Sequence, residues 1–130
     1  MNKEEIIKMA ADRTRVLADA LEAADVLFDQ VIEQADVNAT YDGTASELSA
    51  IKAKITVDVA CELNENGKPL FSNESARSAE VADRMGKNQM AQAYADSLAE
   101  QAALRGNLSA KIEKTRNYIA LYKAFLHGGS

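Results

Sequence analysis

Helical periodicity covers almost the whole chain and is interrupted at one segment. Apolar residues recur at intervals of three and four, which is typical of amphipathic helices. The exception is Glu65–Glu74, which contains Asn66-Gly67 and the only proline, Pro69. Asn-Gly favours a turn, and Pro69 biases Lys68 away from helical backbone angles. The sequence therefore predicts long helices folded about one defined connection.

The composition favours an all-α fold. Hydrophobic residues make up 47% of the 130 residues but aromatic residues only 5%, and there is no tryptophan. A chain of this length forms one domain, and an alanine-rich, charge-rich composition is typical of helical bundles and coiled coils. We predict one helical domain over residues 1–130, an antiparallel bundle or coiled coil of long helices.

Capping patterns set the expected helix boundaries. Asn2 with Glu5, and Thr44 with Glu47, have the spacing of a capping box, and the polar segment 36–43 between them favours a turn. The residues of Ile55–Val59 also alternate like a strand, but a strand would have no sheet to join, so we favour a helix there. The predicted helices are 3–34, 45–63, 73–85 and 89–126.

Single residues within these elements carry further expectations. Ser72 or Asn73 should cap the third helix, and Gly86 with Asn88 should end it and begin the fourth. A mild kink at 86–88 would fit the sequence equally well. A glycine inside a helix costs about 1 kcal/mol relative to alanine, so Gly106 should mark either a close backbone approach, which we favour, or a bend. Cys61 is expected to be a buried small apolar residue.

The first and last helices predict self-association. The fourth helix would be roughly 55 Å long at 1.5 Å per residue, which is longer than a globule of this size. The first helix has a second apolar face, formed by Ile7, Leu21 and Phe28 with Thr14 completing the spacing. Such a wide apolar arc can contact two neighbouring helices. We therefore expect a homo-oligomer.

The sequence favours a soluble cytoplasmic protein. Residues 1–8 lack the order of a secretory signal, and no apolar run approaches the roughly 20 residues of a membrane span. The single cysteine cannot form an intramolecular disulfide, which suits a reducing compartment. No membrane association is expected.

Basic residues of the last helix form a candidate nucleic-acid site. Arg105, Arg116 and Lys123 are 11 and 7 residues apart and project within about 20° of each other at 100° per residue. Lys111, Lys114 and Tyr118 flank them. Such a stripe could hold phosphates while the tyrosine stacks on bases. The alternative is that it pairs with the acidic first helix, where residues 1–36 carry nine acids and four bases.

Catalytic and metal-binding patterns are weak, so we expect neither an enzyme, a cofactor nor a small-molecule substrate. The only histidine, His127, precedes two glycines at a position unsuited to a general base. Asp36–Glu47 places oxygen ligands at calcium-loop spacing, but Tyr41 occupies the position that needs glycine. The carboxylate pairs fit a solvated acidic face better than a catalytic pair.

The segment Glu65–Arg77, with the letters ENGKPLFSNESAR, resembles one that joins two long helices in small helical proteins of phages and prophages. Some of these proteins look like members of DNA replication and recombination cassettes. The resemblance implies a phage-encoded accessory factor, and it carries no catalytic residue.

These observations lead to three functional hypotheses. The first is a non-enzymatic phage or prophage protein, accessory to DNA recombination or replication through protein partners and also single-stranded DNA. The second is an inhibitor of a host defence enzyme that uses an acidic helical surface containing Asp19, Asp25 and Asp29. The third is a structural coiled-coil spacer.

Overall fold

The computed structural model describes residues 1–128 and contains three helices. They are α1 (Lys3–Cys61), α2 (Glu74–Lys87) and α3 (Gln89–Gly128). Helices account for 88% of the described residues, and none of those residues lies in a strand. The prediction of an all-α helical bundle is confirmed. Within residues 1–128, no helix combines the length and apolar content needed to cross a membrane.

Helix α1 runs without interruption through the segment predicted to be a turn. The boundaries expected at 34 and 45 are therefore wrong. Thr44 is an interior residue whose Oγ1 donates to the carbonyl oxygen of Thr40 at 2.9 Å instead of capping a new helix. Half-buried Val37, Tyr41 and Leu48 continue the three- and four-residue spacing. Packing along this face outweighs the local preference for a turn.

The predicted helix over Ile55–Val59 is confirmed, whereas the expectation for Cys61 is wrong. Val59 is the most deeply buried large side chain, with 1% of its surface exposed. Cys61 is the last residue of α1, and its free thiol group is exposed.

Asparagine side chains cap all three helices. The amide nitrogen of Glu5 donates to Asn2 Oδ1 at 2.8 Å, as the capping box predicts. Asn73 Oδ1 accepts from the backbone of Ala76 at 2.7 Å, and Asn88 Oδ1 accepts from Ala91 at 2.9 Å. Both predicted N-caps are confirmed. Gly86 lies inside α2, which ends at Lys87, two residues beyond the predicted end.

The connection between α1 and α2 is a hydrogen-bonded turn, as predicted. The amide of Asn64 donates to the carbonyl oxygen of Lys68 at 2.7 Å. Asn64 Oδ1 accepts from the amides of Asn66 and Lys68 at 2.9 and 3.1 Å. Gly67 has φ of +76°, the left-handed conformation that glycine adopts most readily.

Arg84 holds this connection against α2. Its guanidinium group forms ion pairs with Glu80, at 2.8 Å, and with Glu62. It also lies 5.9 Å from the centroid of the Phe71 ring, a cation–π distance. Hydrogen bonds to Glu80 and Glu62 raise the pKa of Arg84 above its usual value. Arg84 therefore links the beginning and the end of the connection to α2.

The structure divides into two compact units. Unit 1 combines residues 1–37 of the chain with the part of α3 from Leu104 onward, and unit 2 spans 38–103. In unit 2, Val59, Val81 and Ala91 are buried, one from each helix. Gln101 Nε2 lies 3.3 Å from Thr44 Oγ1, which links α3 to α1 there.

In unit 1 the two helices pack antiparallel along one seam. Arg13 Nη2 donates to the carbonyl oxygen of Leu126 at 3.1 Å, and Gln34 Nε2 lies 3.3 Å from Ser109 Oγ. The covered positions repeat with alternating steps of three and four residues, the pattern of a coiled coil. On α1 they are Arg13, Val16, Ala20, Ala23, Leu27, Gln30, Gln34 and Val37; on α3 they are Arg105, Leu108, Ile112, Thr115, Ile119, Tyr122 and Leu126.

Polar residues interrupt this seam. Thr115 is buried, with 8% of its surface exposed, and its Oγ1 donates to the carbonyl oxygen of Lys111 at 3.0 Å. Gln30 Oε1 is buried and accepts no hydrogen bond from the part of the chain that the structure describes. The seam is thus less apolar than an ideal coiled coil.

The glycines inside helices have open surroundings, so the close approach expected at Gly106 is wrong. A Cβ added at Gly43 or Gly106 would meet nothing within 4 Å. Gly43→Ala and Gly106→Ala should therefore each raise the free energy of unfolding by about 1 kcal/mol. Gly67→Ala should lower it by about 1–2 kcal/mol, because alanine is strained at positive φ. Urea unfolding followed by circular dichroism measures all three. Equal effects at Gly67 and Gly43 would contradict this assignment.

Candidate functional site: a charged cleft in unit 1

A cleft of about 360 Å³ lies between α1 and α3 in unit 1. Both helices contribute charged and apolar side chains to it. Its lining residues are Asp19, Glu22, Ala23, Val26 and Gln30 from α1, and Lys111, Lys114, Thr115, Tyr118 and Tyr122 from α3.

The two helices line the cleft with side chains of opposite charge. Residues 16–37 contain six acids and no lysine or arginine, whereas residues 105–123 contain five cations and the single acid Glu113. Asp19 and Glu22 therefore share the cleft with Lys111 and Lys114. Within residues 1–128, no ion pair within 4.0 Å joins these acids to these lysines. The cleft holds charges of both signs that are available to a ligand.

The structure distributes the six predicted phosphate-binding residues over three places. Lys111, Lys114 and Tyr118 line the cleft, and Lys114 Nζ lies 5.8 Å from the centroid of the Tyr118 ring. Arg105 is half-buried at a seam position. Its side chain therefore does not share an exposed stripe with the other cations.

Arg116 and Lys123 are exposed on the opposite flank of α3. Arg116 comes directly after the seam residue Thr115, and Lys123 directly after Tyr122. The cleft residues Lys111 and Tyr118 instead come directly before seam residues. Positions before and after the seam lie on opposite sides of a coiled coil. A phosphate track through Arg116 and Lys123 therefore cannot use Tyr118 as its stacking platform.

Of the three acids of the inhibitor hypothesis, one lines the cleft. Asp19 lines the cleft close to lysines, whereas Asp25 and Asp29 are exposed and lie outside its lining. All three carboxylate side chains are exposed on α1.

Unit 1 exposes most of the large apolar side chains. Of the eighteen large hydrophobic residues that are exposed among residues 1–128, fourteen belong to unit 1. On α1, Leu17, Leu21, Ala24, Phe28 and Val31 form a second series with steps of four and three. We call these five residues the α1 stripe. Leu21 and Phe28 belong to the second apolar face predicted for the first helix, and the regular spacing of all five residues is visible in the sequence.

A larger groove, of about 830 Å³, lies in unit 2. It combines apolar side chains such as Val81 and Met85 with the charged residues Lys52, Glu74 and Arg77. Arg77 also donates from Nη1 to the carbonyl oxygen of Phe71 at 3.4 Å. This groove lies where α2 contacts the end of α1, and Arg77 also stabilises the fold there.

Among residues 1–128, no group of three or more histidine, cysteine, aspartate or glutamate residues is arranged to hold a metal ion. No protein-family model matches this chain, and comparison with curated proteins and with solved structures gave no match either.

Proposed function

We propose that the chain is a non-enzymatic, cytoplasmic interaction protein, accessory to DNA recombination or replication in a phage or prophage. In this proposal, unit 1 binds single-stranded DNA through Lys111, Lys114 and Tyr118 and works beside protein partners. The observation that carries the proposal is the placement of these three side chains together, exposed, on one flank of α3. The resemblance of Glu65–Arg77 to phage proteins supports the biological context.

The chemistry of the cleft suits a single strand. Two lysines without carboxylate partners can contact phosphates, and a neighbouring tyrosine ring can stack on a base. Asp19 and Glu22 on the facing helix repel phosphates, so the strand would follow α3 and avoid α1. Binding should consequently be modest in affinity and sensitive to salt.

Fluorescence anisotropy with a labelled single-stranded oligonucleotide tests this proposal. Raising the salt concentration from 50 to 200 mM should weaken binding by about 7-fold if each of the two lysines contacts one phosphate of a single strand. The double variant Lys111→Glu/Lys114→Glu should abolish binding at low salt. The matched control is Lys52→Glu/Lys54→Glu, which makes the same charge change on exposed residues of unit 2.

Two results would count against the proposal. Absence of binding at low salt would remove the role of the lysines in holding DNA. Equal losses in the variant and its control would mean that net charge, and not the cleft, determines binding.

A further inference from the structure

The α1 stripe has the geometry of a second, unfilled coiled-coil seam. Leu17, Leu21, Phe28 and Val31 are 50, 62, 66 and 42% exposed, although their spacing is that of residues buried between helices. The first seam of α1 is already filled by α3. The stripe therefore needs a helix from outside the chain.

The chain exposes more surface than is usual for a monomeric protein of its mass. The accessible surface is 9454 Å². A monomeric protein of 14.1 kDa has about 6,700 Å², so the chain exposes about 2,700 Å² more than expected. Obligate homodimers commonly bury 2,000–5,000 Å² in total, counted over both copies. The excess is enough to form such an interface.

Charge identifies the second helix as one from another copy. Arg116 and Lys123 each come directly after a seam residue of α3 in the sequence. In the same way, Leu17, Ala24 and Val31 each come directly after a seam residue of α1. In an antiparallel pair such positions lie on the same flank. Arg13 contacts Leu126, and Gln34 contacts Ser109. This alignment places Arg116 and Lys123 beside about residues 16–27 of α1. The stripe is thus bordered by two exposed cations of its own α3.

The other border of the stripe carries one acidic residue, Asp25, between Ala18 and Ile32. Asp25 follows Ala24 of the stripe and lies on the side away from α3. If two α1 helices pack in parallel, the α3 helix of each copy lies beside this border of the other. An antiparallel pairing centred on Ala24 would instead bring the two Asp25 carboxylates together.

We propose that unit 1 forms a parallel two-fold dimer through the α1 stripe, in which Asp25 of each copy is paired with Arg116 of the other. The dimer buries Leu21 and Phe28 against their own equivalents. Because it uses the flank opposite the cleft, it requires neither DNA nor Lys111. Its failure would therefore leave the proposed DNA binding untouched, and loss of DNA binding would leave the dimer untouched.

Light scattering after size exclusion, with the full chain at 1–100 µM, tests the association. We expect a mass of about 28 kDa, twice the 14.1 kDa of one chain. Leu21→Asp/Phe28→Asp should reduce it to that of one chain without loss of helical circular dichroism, since both residues are exposed in the single copy. The matched control Val57→Asp/Leu63→Asp changes equally exposed residues of unit 2 and should remain dimeric. A monomeric parent, or a mass of three or more copies, would overturn the proposal.

Two further variants test orientation and charge. Position 14 continues the spacing of the α1 stripe. A parallel pair brings equivalent residues of the two copies together, so Thr14→Cys in a Cys61→Ser background should form an intermolecular disulfide upon oxidation. Arg116→Asp should weaken the dimer by about 10-fold, and adding Asp25→Arg should restore it. Failure of Thr14→Cys to cross-link would overturn the parallel arrangement. So would a double variant Arg116→Asp/Asp25→Arg that loses as much dimer affinity as the two single variants lose together.

Discussion

Val59→Asp should lower the free energy of unfolding by about 3–5 kcal/mol, the usual cost of an unpaired charge placed in a packed interior. Val59 is 1% exposed and forms the core of unit 2 with Val81 and Ala91. The new carboxylate would lie beside the apolar side chains of Val81 and Ala91, neither of which can pair with its charge. Urea unfolding followed by circular dichroism at 222 nm measures the loss.

Val57→Asp is the matched control for this change. It makes the same substitution two residues earlier on the same helix, at a side chain that is 60% exposed. The effect should stay within about 0.5 kcal/mol, as for most surface substitutions. Similar losses at positions 57 and 59 would show that α1 does not bury the face that the structure assigns to Val59.

Ile112→Ala should lower the stability of unit 1 by about 2–4 kcal/mol, because it removes apolar contacts and leaves a cavity. Ile112 is 3% exposed and lies between Leu108 and Thr115 on the seam of α3. Hydrogen exchange should show the loss first in residues 1–37 and 104–128, which form this unit. Leu121→Ala, at a residue 65% exposed on the same helix, should have little effect on the single chain. Equal destabilisation by both variants would contradict the assigned seam.

The capped and hydrogen-bonded parts of the fold were predictable from the sequence because their signals are local. The side chains of Asn73 and Asn88 each accept a hydrogen bond from the amide three residues later. Asn66-Gly67 likewise forms its turn within a few residues. Such interactions depend on neighbouring residues, so these patterns could be recognised without knowledge of the tertiary fold.

The continuous helix through residues 36–44 could not be predicted from local preference. Asn38, Asp42 and Gly43 favour a turn individually, but Val37, Tyr41 and Leu48 lie on a face that other helices cover. Tertiary packing therefore decided the structure against local propensity. The regular spacing of the covered residues was present in the sequence and is the signal that should have outweighed the turn pattern.

The candidate site was predictable in composition but not in arrangement. The cations of α3 were identified from the sequence, yet a straight-helix projection grouped Arg105 with Arg116 and Lys123. The structure places Arg105 at the seam and leaves the other two exposed. A coiled-coil helix turns slightly differently from a straight one, so a projection over 18 residues accumulates error.

The polar residues of the seam in unit 1 determine which alignment of α1 and α3 is preferred. Leucine at position 30 would pack better than Gln30, whose buried Oε1 accepts no hydrogen bond from the described residues. A uniformly apolar seam, however, would allow the helices to slide by one heptad at little energetic cost. Any such sliding separates Gln34 from Ser109, which now lie 3.3 Å apart. The polar seam residues thus weaken the packing between α1 and α3 but favour a single alignment of the two helices. This alignment keeps Lys111 and Lys114 opposite Asp19 and Glu22.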